Sequence, residues 1–246
     1  MPHILGLNIA TTNYEVLVAQ SLIWAQRRES RAVLFANVHM VMEAYDNPGF
    51  RAALNRADLN CPDGMPLVWA LRSMGIQEAS RVYGPDSTLA LLDAAEREGV
   101  RVGFYGGRTE VLGLLIAEVQ KRHPRLQIAY AASPPFRALT SDEKEIVRSE
   151  LVGSGVQFLF VGLGCPKQER WVMEHVGTVP MVMFGVGAAF DFVAGTTPQA
   201  PRWMMRSGLE WAFRLRCEPK RLMVRYLKHN PRYILYFIWQ RFRHAD

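Results

Sequence analysis

Short apolar segments of β type alternate with helical patterns through the first 195 residues, and this alternation constrains the fold most strongly. Residues 181–184 are wholly apolar and residues 156–161 nearly so, which is typical of strands covered on both faces. Alternating strands and helices indicate an α/β protein. We therefore predict an α/β fold over residues 1–195, with a mostly parallel sheet flanked by helices.

The individual elements follow from periodicity and from residues that start helices. Thr140 and Glu143 form a capping-box pattern, and Pro219 and Pro231 are each expected to begin a helix of the tail. The predicted strands are residues 4–9, 32–36, 58–60, 100–105, 127–130, 156–161 and 181–184. The predicted helices are residues 14–28, 38–45, 87–98, 110–122, 142–152 and 167–175.

The end of the chain differs in charge from the rest. Residues 202–246 contain 11 Lys/Arg and 3 Asp/Glu, a net charge of +8, whereas residues 1–201 have a net charge of −2. Nine aromatic side chains lie in the same tail. We predict that residues 196–246 form a basic helical C-terminal appendage that meets an anionic membrane surface. Its longest apolar run, residues 233–239, is far shorter than the roughly 20 residues that span a bilayer, so the appendage should lie on the membrane.

Other partners are less well supported by the composition. Basic and aromatic residues also suit nucleic acid, but no recognised binding motif accompanies them, so we predict no nucleic-acid partner.

The three cysteines are far apart and form no CxxC pair, which argues against a disulfide framework and fits a reducing cytoplasm. The six histidines are isolated in the sequence, so we predict no metal site and no cofactor. The apolar faces of the tail allow a homo-oligomer in solution.

Glycines cluster where the predicted strands end, the edge at which such sheets bind ligands. The segment 160–171 runs from a strand through two glycines into a helix with free N–H groups for an anion. An ordinary strand-to-helix turn explains the same residues, which match neither GxGxxG nor a P-loop. The candidate donor-binding residues of these turns are Gly106, Gly107, Gly162, Gly164, Lys167 and Glu169, with Gln168 as a polar candidate.

Four further positions have both a functional and a structural interpretation. Asp63, in Cys61-Pro-Asp-Gly64, is a candidate general base on a stiff turn, although Pro-Asp-Gly is also ordinary turn chemistry. Arg81 precedes a helix start and could bind a diphosphate or remain solvated. Asn37 and Asp191 follow apolar strands and could contact a sugar or simply support a helix end.

Taken together, these segments resemble the WecG/TagA/CpsF glycosyltransferases, in order and over nearly the whole chain. Each motif is weak alone, but the combination is specific. The matching segments are Asn37, Cys61-Pro-Asp-Gly64, Arg81-Val-Tyr-Gly-Pro-Asp86, Val161-Gly-Leu-Gly-Cys-Pro-Lys-Gln-Glu169, Gly185-Val-Gly-Ala-Ala-Phe-Asp191, Ala200-Pro201, Gly208-Leu-Glu-Trp-Ala-Phe-Arg214, and Glu218-Pro-Lys-Arg221 followed by Arg225.

The resemblance implies an inverting, metal-independent enzyme of GT-E type, with a Rossmann-like catalytic core in residues 1–195 and a C-terminal appendage in residues 196–246. Such an enzyme acts at the cytoplasmic face of the membrane as a peripheral protein. It would move a sugar from a UDP-sugar donor to a polyprenyl-diphosphate-linked acceptor. By resemblance, Asp63 is the catalytic base and Asn37 lies near the donor sugar. Arg81 and Gln168 match active-site polar residues. The matching appendage residues that would bind diphosphate are Arg214, Arg221 and Arg225.

The resemblance is less decisive about the sugar. Phe35 stands where the wall teichoic acid members have a threonine, and the stretches 37–43 and 63–69 look more like the exopolysaccharide branch. UDP-glucose is therefore the first expectation, with UDP-N-acetylmannosamine or its uronic acid as the alternative. Two other classes remain open, a nucleotide-dependent oxidoreductase and a non-catalytic adaptor, although the missing GxGxxG counts against the first.

Overall fold

The computed structural model describes residues 1–243, except for the side chain of Arg221. Two groups of strands occur in this range, a short hairpin and a larger sheet. The strands are β1 (His3–Ile4), β2 (Leu7–Asn8), β3 (Arg31–Ala36), β4 (Leu59–Pro62), β5 (Val102–Gly106), β6 (Ile128–Ala132), β7 (Phe158–Gly162) and β8 (Val182–Gly185).

Helices connect the strands and form the C-terminal tail. Within residues 1–243, no helix combines the length and the apolar composition that crossing a membrane requires. The helices are α1 (Tyr14–Gln26), α2 (Val38–Asp46), α3 (Pro48–Leu54), α4 (Met65–Ser73), α5 (Gly84–Glu98), α6 (Thr109–Arg122), α7 (Ser141–Ser154), α8 (Lys167–His175), α9 (Ala189–Val193), α10 (Arg202–Arg206), α11 (Glu210–Cys217) and α12 (Pro219–Arg243).

The larger sheet has the strand order β4-β3-β8-β7-β5-β6 and confirms the predicted α/β fold. The pairs β3–β8, β8–β7, β7–β5 and β5–β6 are all parallel. Phe104, Phe160 and Phe184 occupy paired positions on β5, β7 and β8, and their rings stack with centroids 5.5 and 5.3 Å apart. All three are fully buried, as the apolar strand sequences predicted.

Two local predictions were wrong. Residues 4–9 do not form one strand, because Leu5 and Gly6 adopt positive φ values of 50° and 83° and turn the chain into the β1–β2 hairpin. Pro231 does not begin a helix but lies inside α12. The buried side chain of Tyr233 follows it, and the Tyr233 hydroxyl donates to the backbone oxygen of Pro66 (3.2 Å). Tertiary packing therefore outweighs the proline's tendency to end a helix.

The chain forms two compact units that do not follow its linear order. The first comprises residues 1–12, 35–83 and 198–246, and the second comprises residues 13–34 and 84–197. The basic tail therefore belongs to the same unit as the hairpin, α2, β4 and α4.

In the first unit, polar and aromatic contacts anchor α12. Arg232 forms a bidentate ion pair with Asp46 at the end of α2, with N–O distances of 3.0 and 2.5 Å. The ring of Tyr236 stacks on Tyr45 with centroids 4.8 Å apart. The Gln240 side-chain amide accepts from the backbone of Leu5 (2.7 Å) and donates to that of His3 (3.0 Å). Residues far along α12 are thus held against the start of the chain.

In the second unit, the glycines at the ends of β5 and β7 pack against each other. Gly106 has a φ of +122°, and a Cβ added there would lie 2.7 Å from the backbone carbonyl of Gly162. A Cβ on Gly162 would lie 2.7 Å from the ring of Phe190. Such distances leave no space for any side chain, so the glycines are required by packing at this edge of the sheet.

We expect Gly106→Ala to destabilise the protein by about 2–4 kcal/mol, because the new Cβ meets backbone atoms in a conformation that disfavours alanine. Gly113→Ala is the matched control, since Gly113 is exposed in α6 with open space around it. That substitution should be stabilising by about 0.5–1 kcal/mol. Urea denaturation of both variants measures the difference, and equal stability of the two would contradict this packing argument.

Candidate active site

A cavity of about 870 Å³ lies within the first unit, bounded by the start of α2, the β4–α4 turn and the tail helices α11 and α12. Five residues predicted from the sequence line it together: Asn37, Asp63, Arg81, Arg214 and Arg225. The tail therefore contributes two of its arginines to the cavity that contains the candidate base. The side chain of Arg221 lies outside the described residues.

Asp63 follows β4 directly, and its backbone is fixed on both sides. Its N–H donates to the carbonyl of Ala36 (2.9 Å), and its own carbonyl accepts from Nε of Arg81. Gly64 then forms the N-cap of α4. The Pro-Asp-Gly sequence is thus a turn, as the structural interpretation predicted, and the same turn directs the Asp63 carboxylate to the cavity.

Arg81 is shared by two carboxylates. Its Nη2 lies 2.6 Å from Oε2 of Glu210 and 3.4 Å from Oδ1 of Asp63, and its guanidinium carbon lies 4.1 Å from the ring centroid of Tyr83. All three charged side chains are largely buried. Glu210 lies nearer to the Arg81 guanidinium than Asp63 does. The negative charge of Glu210 therefore offsets part of the stabilisation that Arg81 gives to the ionised form of Asp63.

This arrangement leaves Asp63 suited to proton transfer. The pKa of Asp63 is raised to about 6, chiefly because burial removes hydration from the carboxylate and also because Glu210 carries a negative charge nearby. The cations Arg81 and Arg214 oppose both effects but do not cancel them. A general base is most effective when its pKa lies near the operating pH. Asp63 meets that requirement near neutrality, which an ordinary aspartate does not.

Asn37 has a structural role that the sequence left open. Its Oδ1 accepts from the backbone N–H of Met40 (3.2 Å), so it is the N-cap of α2. The residue also lines the cavity. Both interpretations of Asn37 are therefore compatible with its position.

Sequence reasoning missed Glu210, although it lies within the segment 208–214 that carried the family resemblance. An acidic residue in the first turn of a helix is common, so nothing local distinguishes it. It also missed a cluster of His39, Glu43 and His229, whose ligand-type atoms all lie within 4.8 Å of one another. The prediction that the histidines are isolated was therefore wrong for these two. The i, i+4 spacing of His39 and Glu43 was the available signal.

The second unit contains the remaining candidates, and Gln168 is the most constrained of them. Its Oε1 accepts from the backbone N–H of Gly164 (3.0 Å), while its Nε2 donates to Glu169 (2.9 Å) and to the carbonyl of Gly185 (3.0 Å). The side chain is buried. Gln168 thus ties the turn after β7 to the end of β8, which is a positioning role for the backbone.

The other candidates of the second unit differ in accessibility. Gly106 and Gly162 are closely surrounded by protein atoms, whereas a Cβ on Gly164 would meet nothing within 4 Å. Gly107 faces only the ring of Phe190, at 3.3 Å. Lys167 is exposed at the start of α8. Asp191 lies in α9, and its backbone carbonyl accepts from Thr196. Among these glycines, Gly164 leaves the most open backbone for a ligand.

Comparisons with known proteins show what the chain is similar to. The model of the glycosyl transferase WecG/TagA/CpsF family matches residues 2–246. A relative from Bacillus spizizenii is 32% identical over 190 residues, which cover 77% of this chain and 72% of the relative. That relative is named N-acetylglucosaminyldiphosphoundecaprenol N-acetyl-beta-D-mannosaminyltransferase.

We expect Asp63→Asn to stabilise the protein at neutral pH. A carboxyl whose pKa rises to about 6 on folding binds its proton more tightly in the native state, so its ionisation removes stability between about pH 4 and pH 6. An amide avoids that loss, which corresponds to roughly 1–3 kcal/mol at pH 7. Urea denaturation should show that the free energy of unfolding of Asp63→Asn exceeds that of the wild type at pH 7, and that this difference is smaller near pH 4.

The matched control is Glu98→Gln, which removes an exposed carboxylate of α5. It should change stability by less than about 0.5 kcal/mol at either pH. If Asp63→Asn changed the free energy of unfolding as little as Glu98→Gln does, burial would not destabilise the ionised carboxylate of Asp63.

Proposed function

Because the chain belongs to the WecG/TagA/CpsF family of glycosyl transferases, we propose that it transfers an N-acetylmannosamine-type sugar from a UDP-sugar to a polyprenyl-diphosphate-linked saccharide. The observation that carries the mechanism is the buried carboxylate of Asp63 with its raised pKa, in a cavity that also contains Arg214 and Arg225. The name of the Bacillus relative supports N-acetylmannosamine over the glucose expected from the 37–43 and 63–69 stretches.

In the proposed reaction, the Asp63 carboxylate accepts the proton of an acceptor hydroxyl while that oxygen forms a bond to C1 of the donor sugar. The bond between C1 and the diphosphate oxygen breaks, and its electron pair leaves with UDP. Attack opposite the leaving group inverts the configuration at C1. Negative charge therefore grows on the diphosphate, where fixed cations stabilise the transition state.

The arginines of the cavity have separate tasks in this proposal. Arg214 and Arg225, from the tail, bind diphosphate oxygens, for which guanidinium groups offer paired donors. Arg81 is engaged by Asp63 and Glu210 and orients the base. We propose on this basis that the appendage, residues 196–246, completes the active site.

We also propose that the tail lies on an anionic membrane surface at the cytoplasmic face. On α12, the face opposite the buried His229 and Tyr233 exposes large apolar side chains. Leu227, Leu235 and Phe242 are 71, 65 and 72% exposed. Basic residues on the same helix would contact lipid phosphates, each contributing about 1 kcal/mol near such a surface.

The test is UDP release by the purified protein in the presence of a polyprenyl-diphosphate-N-acetylglucosamine acceptor. We expect turnover with UDP-N-acetylmannosamine and far less with UDP-glucose. Asp63→Asn should lower kcat by about 10²–10⁴-fold, the usual contribution of a general base, and leave donor binding intact. The exposed-carboxylate variant Glu98→Gln should retain wild-type turnover.

Two outcomes separate the parts of this proposal. Full turnover in Asp63→Asn would remove the assigned base whichever donor is used. A preference for UDP-glucose would overturn the donor assignment and leave the role of Asp63 intact.

We expect Glu210→Gln to shift the acid limb of the kcat profile to lower pH. In the wild type this limb lies near pH 6, since Asp63 must be ionised to act as a base. Removing the charge of Glu210 removes one cause of the raised pKa of Asp63 and frees Arg81 to pair with it. The plateau rate should also fall, because a less basic carboxylate accepts a proton less readily.

Glu110→Gln is the control for that profile, because Glu110 is an exposed residue in the first turn of α6. Its profile should superimpose on that of the wild type. An unshifted acid limb in Glu210→Gln would show that Glu210 does not influence Asp63.

A further inference from the structure

His39, Glu43 and His229 form a compact group of metal-type ligands in the first unit. His39 and Glu43 lie one turn apart on α2, and Nδ1 of His39 is 4.0 Å from Oε1 of Glu43. Nε2 of His229, on α12, lies 3.6 Å from the same oxygen. The two imidazole rings meet edge to face with centroids 5.0 Å apart. One ligand atom from each residue falls within 4.8 Å of the other two.

The residue types and spacing fit a divalent transition metal. Two imidazoles and one carboxylate are a recurrent zinc ligand set, with bonds of about 2.0–2.2 Å. Ligand atoms around a tetrahedral ion of that size are roughly 3.4 Å apart. The distances of 3.6 and 4.0 Å to the Glu43 oxygen exceed that value, and the ligand atoms of the two histidines lie within 4.8 Å of each other, so side-chain rotations would have to bring all three atoms closer around the ion.

The surroundings hold these ligands in place. The Arg232–Asp46 ion pair and the stacking of Tyr45 on Tyr236 join α2 to α12 close to the cluster. His229 is 3% exposed, so packing restricts the orientation of its ring. Metal sites are most effective when packing fixes their ligands in advance.

We propose that His39, Glu43 and His229 bind one zinc ion, which links α2 to the tail helix α12. His39 and His229 also line the cavity, so a fourth coordination position is open to water or to an oxygen of a bound ligand. This site goes beyond the proposed transfer reaction and supplies no step of it. Its function is to fasten the tail to the rest of the first unit.

The test uses full-length protein stripped with a chelator and titrated with Zn²⁺ against a chromophoric competitor. We expect one tight equivalent in the wild type. His229→Gln should weaken it at least about tenfold, because losing even an outer-shell partner of a metal site costs 10–100-fold in affinity. Co²⁺ should give the intense visible absorption of a low-coordinate site in the wild type but not in His229→Gln. Glu43→Gln is a second variant that changes little in volume.

The matched control is His123→Gln. His123 is also buried, and its Nδ1 lies 3.4 Å from Asp93 and 3.7 Å from Glu96, but it belongs to the second unit. This variant should bind Zn²⁺ like the wild type. Zinc should raise the Tm of the wild type and of His123→Gln. It should not raise the Tm of His229→Gln, because a ligand stabilises only a state that binds it. Equal zinc affinity in the wild type and His229→Gln, or no binding by the wild type, would overturn the proposal.

Discussion

The shared guanidinium of Arg81 is the interaction on which the candidate site depends. It joins Asp63, on the turn after β4, to Glu210, at the start of a tail helix, although 147 positions separate these carboxylates in the numbering. A largely buried cation stays between two carboxylates because moving away from both would leave its charge uncompensated. Burial is the main cause of the raised pKa of Asp63, and Arg81 and Glu210 modify that pKa in opposite directions, so the position of the tail residue Glu210 influences the candidate base.

Helix α12 of the tail has two different faces. The face of α12 that carries Leu222, His229 and Tyr233 is buried in the first unit, while the opposite face exposes large apolar side chains. A second group of exposed apolar side chains on one helix favours contact with another apolar environment, which a lipid surface provides in the proposed function. The buried face explains why Pro231 is tolerated, and the exposed face explains the unusual composition of the tail.

The glycine-rich turns show how one sequence feature can have two causes. Gly106 and Gly162 are required because their neighbours occupy the space of a Cβ, whereas Gly164 leaves its backbone open. Gln168 connects the turn after β7 to the end of β8 through hydrogen bonds to Gly164 and Gly185. A ligand-binding interpretation is therefore strongest at Gly164 and weakest at the two glycines whose absence of a side chain is a packing requirement.

The sequence by itself determined the α/β class, most strand positions, the capping box at Thr140 and the basic tail, because these follow from local periodicity and composition. It also indicated Asp63, Arg81 and Asn37 through the order of short motifs. Only the tertiary structure decided that Glu210 competes with Asp63 for Arg81, and that His229 meets His39 and Glu43. Contacts between residues so far apart in the chain depend on packing, which leaves no local signal in either segment.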